Sequence, residues 1–154
     1  MSDSIEVLYA TMTGNAQDCA EALVSRLTKE GHTATMHDVA DYDVASLTQT
    51  KFVFVCISTW GDGEPPSDGE DFYDAVQDLE PGSLSHIHFS VLSLGDTSYE
   101  LFCQCGKDID QAFERLGGTR VAPRMDCDID FEDNLTSWID SVASALADMS
   151  KVPA

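Results

Sequence analysis

The stretch Ile5-Glu6-Val7-Leu8-Tyr9-Ala10-Thr11-Met12-Thr13-Gly14-Asn15-Ala16-Gln17-Asp18-Cys19-Ala20 decides the fold. Ile5 to Tyr9 is a short apolar run of strand type. From Ala16 the period changes, and Ala16, Cys19, Ala20, Leu23, Val24 and Leu27 recur on one face at helical spacing. A strand that passes through one short loop into an amphipathic helix opens a crossover unit, which implies parallel strands. The loop, Thr11 to Ala16, presents backbone N–H groups and the positive end of a helix dipole, with side-chain donors on Thr11, Thr13 and Asn15. That chemistry suits a phosphate. The loop has no lysine or arginine and matches neither GxxxxGKS/T nor GxGxxG, so neither P-loop nucleotide chemistry nor a dinucleotide pyrophosphate is supported. Taken alone, the same residues also describe an ordinary strand-to-helix turn capped by threonine and asparagine.

The alternation continues along the chain. Thr33 to His37, Lys51 to Ser58, His86 to Leu94 and Thr119 to Met125 read as further strands, five in all. Between them Phe72, Ala75, Val76 and Leu79 form a helical stripe, as do Ile109, Ala112, Phe113 and Leu116. Leu135, Trp138, Ile139, Val142, Ala143 and Leu146 form the last one. Gly31 and Gly117 stand where helix C-caps belong, and Asp43 to Leu47 gives a weaker helical signal. Strand and helix in turn predict an α/β fold with a parallel sheet and helices on both faces. In such sheets ligands bind beyond the carboxyl ends of the strands, where the strand order changes direction. The loops after the first, third and fourth strands are therefore the candidates for function.

With 154 residues, 43% of them hydrophobic, the chain reads as one domain, residues 1–149, followed by a short tail at 150–154. No apolar run is long enough to cross a bilayer. Met1 to Glu6 lacks the basic and apolar regions of a signal peptide, so a cytoplasmic location is expected. The five cysteines (Cys19, Cys56, Cys103, Cys105, Cys127) show no CxxC spacing and are expected to be free thiols. Against 28 Asp and Glu stand only 8 Lys and Arg, for a net charge of -20. Such a surface repels nucleic acid and anionic membranes and steers toward partners with basic patches, besides aiding solubility.

After the third strand comes Ser58-Thr59-Trp60-Gly61-Asp62-Gly63-Glu64-Pro65-Pro66. Gly61 and Gly63 leave the backbone free to reorient, and Trp60 offers a flat apolar face for a planar ligand. After the fourth comes Leu94-Gly95-Asp96-Thr97-Ser98-Tyr99-Glu100-Leu101-Phe102-Cys103, in which Tyr99 can supply a second ring opposite Trp60. Two aromatics around a slot, above an anion-binding turn, describe a site for a phosphorylated planar heterocycle. Each feature alone is also compatible with a rim tryptophan or a plain turn.

Taken together, the three loops resemble the flavodoxin family, and most closely the FMN domain of sulfite reductase flavoprotein and cytochrome P450 reductase. The resemblance extends through Gly106-Lys107-Asp108 and Leu116-Gly117-Gly118 to Asp126-Cys127-Asp128 and covers nearly the whole chain in matching order. It implies a three-layer sandwich around a five-stranded parallel sheet of order 2-1-3-4-5, with FMN as a non-covalent cofactor. By position, Thr11, Met12, Thr13, Gly14, Asn15 and Ala16 would bind the FMN phosphate. Trp60 and Tyr99 would flank the flavin ring. Ser58, Thr59 and Gly61, with Leu94, Gly95, Asp96, Thr97, Ser98, Glu100, Leu101, Phe102 and Cys103, would complete the contacts. The Gly61 peptide would turn its carbonyl toward flavin N5 on reduction. Trp60 replaces the Tyr or Gln frequent in such domains, and Ala16 replaces a common Thr. The implied function is single-electron transfer by a monomer, with a flavodoxin reductase-like donor and an acceptor that dock through basic patches. Diflavin enzymes continue into FAD and NADPH domains where this chain ends, so electrons are expected from another protein.

Other readings stay beside this one. The chain could be the excised FMN domain of a diflavin reductase, or an enzyme, an FMN-dependent NAD(P)H quinone or flavin reductase. The latter lacks a second nucleotide site and the basic residues to hold one. A signalling receiver would need an acidic pair after the first strand and an aspartate ending the third, where Thr11-Met12 and Ser58-Thr59 stand. A flavin-free scaffold is the remaining alternative. His86 and His88 are expected on one side of the fourth strand, without an evident third metal ligand. Asp126, Asp128 and Asp130 begin like a calcium loop, but Phe131 and Ser137 occupy its required glycine and glutamate positions. For Cys103 and Cys105, packing is expected rather than redox chemistry.

Overall fold

The computed structural model of the chain describes residues 4–10, 15–39, 42, 47, 51–58, 70–80, 82–94, 104–122, 124–127 and 132–151. The elements in chain order are β1 (Ser4–Ala10), α1 (Asn15–Lys29), β2 (Thr33–Asp38), β3 (Phe52–Ser58), α2 (Glu70–Gln77) and β4 (His88–Leu94). Beyond these lie α3 (Gln104–Arg115), β5 (Thr119–Arg120), β6 (Met125–Cys127) and α4 (Glu132–Lys151). All pairings are parallel, and the order is β2-β1-β3-β4-β5, with β6 also paired to β4.

Parallel strands covered on both sides carry apolar residues on both faces, and the central strands sort them by parity. Leu8, Val53, Val55, Ile57, Phe89 and Val91 pack with Phe72 and Val76 of α2 and with Ile109, Ala112, Phe113 and Leu116 of α3. Their neighbours Ile5, Val7, Phe52, Phe54, Cys56, Leu92 and Leu94 pack with Cys19, Ala20, Leu23 and Leu27 of α1. On that same side lie Trp138, Ile139, Val142 and Leu146 of α4. Three layers result, and the helical stripes legible in the sequence are the faces that α1, α3 and α4 bury.

Two helix ends are closed by glycines in the left-handed region. At Gly31 (φ 90) and Gly117 (φ 102) the chain reverses, and N–H bonds from His32 to the Leu27 carbonyl (3.0 Å) and from Gly118 to the Phe113 carbonyl (2.9 Å) satisfy the last turns. Both were expected as C-caps.

Four expectations need correction or placement. The strand expected over Thr119 to Met125 is two strands, β5 and β6, interrupted at 121–124. Pro123 has no N–H to offer a ladder, and Arg120 and Arg124 are both drawn to Asp110 on α3. His86 does not share β4 with His88: it lies in the turn before the strand, exposed, with Nε2 3.1 Å from the Leu47 carbonyl. The weak helix around Asp43 to Leu47 lies outside the described residues apart from Leu47, which is buried in the core. α4 reaches Lys151, two residues into the segment expected as a tail.

Candidate functional site

The site is positioned by where the strands end. Ala10 of β1 pairs with Ile57 of β3, and Ser58 of β3 pairs with Leu94 of β4, so these three strands finish level with one another. Cys127 of β6 also pairs with Leu94 and ends there too. The segments 11–14, 59–69, 95–103 and 128–131 therefore all leave from one edge of the sheet. β1 lies between β2 and β3, and the chain crosses from β1 to β2 through α1 on one face. From β3 to β4 and from β4 to β5 it passes through α2 and α3 on the other face. The strand order thus reverses direction at β1 and β3, the place where sheets of this kind bind ligands.

Of the residues singled out in the sequence, Asn15 and Ala16 form the first turn of α1, and Ser58 and Leu94 are the last residues of β3 and β4. Leu94 is buried. Thr11, Met12, Thr13, Gly14, Thr59, Trp60, Gly61, Gly95, Asp96, Thr97, Ser98, Tyr99, Glu100, Leu101, Phe102 and Cys103 lie outside the described residues. Asp128 and Asp130, of the run that begins like a calcium loop but lacks its glycine and glutamate, lie outside them too, as does Cys105's side chain.

The donor set fits a phosphate-bearing ligand. α1 starts at Asn15, with four residues between it and the end of β1, so its N-terminus lies at the same edge of the sheet, and a helix N-terminus suits an anion. Thr11, Thr13 and Asn15 are neutral donors, and the first basic residue of the chain is Arg26, at the far end of α1. Among the described residues, no group of three or more His, Cys, Asp or Glu is arranged to hold a metal ion.

An ion cluster that sequence patterns did not signal runs along the outer strands, from Arg120 opposite Phe89 at the start of β4 to Asp126 opposite Ser93 near its end. Asp110 of α3 is a buried carboxylate, 2% exposed, held by Arg120 through two bonds, Nε to Oδ1 (2.8 Å) and Nη2 to Oδ2 (2.6 Å). Arg120 also donates from Nη1 to Glu114 Oε2 (2.6 Å) and lies over the Phe89 ring. Arg124 approaches the same Asp110 Oδ2 at 3.4 Å and donates to Asp126 from Nε (2.9 Å) and Nη2 (3.3 Å). The bond to Asp126 is the main reason the Arg124 guanidinium is held above its ordinary pKa, as the bond to Asp110 is for Arg120. The arginines' separation from Asp110 in sequence hid this arrangement. The only available signal was Arg, Arg and Asp at even positions 120, 124 and 126 around a proline.

On the opposite face Trp138, fully buried, donates from Nε1 to Ser90 Oγ (2.8 Å), and Ser90 donates to the Ala122 carbonyl (2.9 Å). Cys19 and Cys56 are buried thiols. Burial, and after it the Asp18 carboxylate, push the Cys19 thiol up to about 12.

Comparison with known proteins agrees with this geometry. A family model described as Flavodoxin matches residues 7–138. The sulfite reductase [NADPH] flavoprotein alpha-component of Bacillus subtilis is 38% identical over 146 residues, covering 95% of this chain and 24% of that protein. Its counterpart in Mannheimia succiniciproducens is 39% identical over 151 residues, covering 98% of this chain and 25% of that protein. The chain thus spans about a quarter of the length of these curated relatives. Among solved structures, a Streptococcus pneumonia flavodoxin superposes with a TM-score of 0.84 at 26% identity, covering 95% of this chain and 99% of that one. A short-chain flavodoxin associated with a non-canonical PDU bacterial microcompartment also gives 0.84, at 29% identity, covering 98% and 100%.

Proposed function

The chain belongs to the flavodoxin family, and from that premise we propose that it binds FMN non-covalently at the carboxyl edge of the sheet and carries single electrons between protein partners. The observation that carries this reading is that β1, β3 and β4 end level with one another at one edge of the sheet, at the point where the strand order reverses. The segments that follow these strands hold the neutral donors, the two aromatics and the glycines that a phosphorylated planar ring requires.

When bound, the flavin supplies the electron-accepting chemistry, and the protein supplies position and electrostatics. Thr11 to Ala16 would hold the phosphate, Trp60 and Tyr99 would flank the ring, and Ser58, Thr59, Gly61 and Leu94 to Cys103 would complete the pocket. Gly61 has no Cβ, so its peptide can turn to offer the ring either its N–H or its carbonyl. No basic residue stands in the phosphate loop, and Asp62, Glu64, Asp68, Glu70, Asp96 and Glu100 crowd the sequence of the other two. This environment opposes added negative charge on the ligand, which makes the fully reduced cofactor a strong reductant. The same acidity favours fast, salt-sensitive docking of partners that bear lysine and arginine patches.

The purified chain is expected to be yellow, or to take up one FMN per chain when reconstituted. A chain that binds no flavin would refute the proposal. The extent of the match to the sulfite reductase flavoproteins favours a second reading, in which the chain works as the FMN-binding part of a longer or multi-chain reductase. The two agree on the site and differ in partner. Reduction by a separate FAD- and NADPH-binding protein, with a rate that falls as salt rises, is expected in both. Steady NAD(P)H oxidation by the chain alone would instead support a self-sufficient reductase.

A further inference from the structure

We propose that the interrupted edge strand is a built positioning device, in which Arg124 holds Asp126 beside the carboxyl edge of the sheet and neutralises its charge there. This rests on the FMN reading above.

The interruption is defined by register. From Phe89 to Leu92 β4 advances three residues, while its edge partner advances five, from Arg120 to Met125. Two extra residues bend the edge chain without exchanging its faces: Arg120 lies over Phe89, and Met125 packs with the group that holds Leu92. Bulges of this kind recur beside active sites, where they re-aim the side chains and the backbone beyond the bend.

The bend is held from both sides of the sheet. On one, Ser90 and Trp138 fix the Ala122 carbonyl. On the other, Asp110 of α3 binds Arg120 before the bend and Arg124 after it. Arg124 then forks onto Asp126, two residues further on the same face of the edge strand. Asp126 pairs with Ser93, one step short of the strand end at Leu94, and the segment 128–131 leaves from there. Both Arg124 and Asp126 side chains are about three-quarters buried, so the pair is poorly screened by solvent. Without the arginine, a carboxylate stands unopposed at the edge where the cofactor gains charge on reduction.

The test compares the affinity of each variant for oxidised and for fully reduced FMN, the ratio of which sets the potential. Arg124→Gln is expected to weaken binding of the reduced form relative to the oxidised form about tenfold, equivalent to about 30 mV for the two-electron couple. Arg124→Gln combined with Asp126→Asn is expected to return the ratio to within about threefold of the starting chain, which a merely structural role for Arg124 would not do. Arg115→Gln makes the same change of net charge at the end of α3 remote from the carboxyl edge and should leave the ratio unmoved. If Arg124→Gln fails to fold, Asp126→Asn alone, which leaves Arg124 its contact with Asp110, is expected to favour the reduced form. A ratio that no Arg124 or Asp126 variant moves, or that Arg115→Gln moves equally, overturns the positioning role while leaving FMN binding intact. An unaltered chain that takes up no FMN overturns both.

Discussion

Replacing Ser90 by alanine tests whether the buried hydroxyl is what ties α4 and the edge of the sheet to β4. In the folded chain Ser90 and Trp138 are both 0% exposed, and one hydroxyl accepts the indole N–H while donating to the Ala122 carbonyl. Alanine fits the space of serine, so no sizeable cavity opens. What is lost is hydrogen bonding. An indole N–H left buried without an acceptor costs about 1–3 kcal/mol, and the carbonyl's lost donor about 1 kcal/mol more. Around 3 kcal/mol in a domain of this size corresponds to a fall in Tm of about 6–12 °C. The measurement belongs on the flavin-free protein, because any bound ligand adds its own stabilisation by mass action. Calorimetry or circular dichroism reads it, and a double-mutant cycle with Trp138→Phe isolates the pair. Where Trp138 is already phenylalanine, Ser90→Ala should cost only about 1 kcal/mol, because the N–H it would orphan is gone. A fall in Tm below about 2 °C for Ser90→Ala, or equal costs in the two backgrounds, would show that the hydroxyl does not tie Trp138 to β4.

Asp110→Ala removes the carboxylate shared by Arg120 and Arg124. Because both arginines keep some solvent access, the expected loss is about 2 kcal/mol, below the full cost of breaking a buried pair; chemical denaturation measures it, and an unchanged midpoint would count against the clamp. Cys19, with its thiol pushed up to about 12, and buried Cys56 should resist iodoacetamide at pH 8 in the native chain and react on unfolding. Peptide mapping that finds Cys19 alkylated at the rate of an exposed thiol would contradict its burial. Burial, and then the Lys51 ammonium, lower the pKa of His88 from 6.5. As the pH falls through 6.5 the unfolded chain therefore takes up this proton before the native one, and stability is lost on the acid side. His88→Gln should flatten the dependence of Tm on pH between about pH 7 and 5, and a slope identical to that of the unaltered chain would exclude the histidine as its source.

The sequence by itself determined the layers. Period-two and period-3.6 patterns depend on which residues face the core, and the stripes around Leu23, Phe113 and Trp138 are the faces that the structure buries. Gly31 and Gly117 were legible as caps because a left-handed turn favours a residue without Cβ. Thr11 to Ala16, the Trp60 loop and the Tyr99 loop are local motifs, so the proposal that they hold the cofactor is made from the sequence. Tertiary structure alone decided what depends on partners distant along the chain. The break between β5 and β6 reads as one strand because propensity does not register that Asp110, on another element, draws in both Arg120 and Arg124. His86 reads as strand because its neighbours are apolar, and only the register of β4 on β3, starting at His88 and Phe52, leaves it in the turn. Ser90 is a polar residue in an otherwise mostly apolar strand. Its reason is Trp138, 48 residues away, whose N–H needs an acceptor that only a folded core can bring within reach.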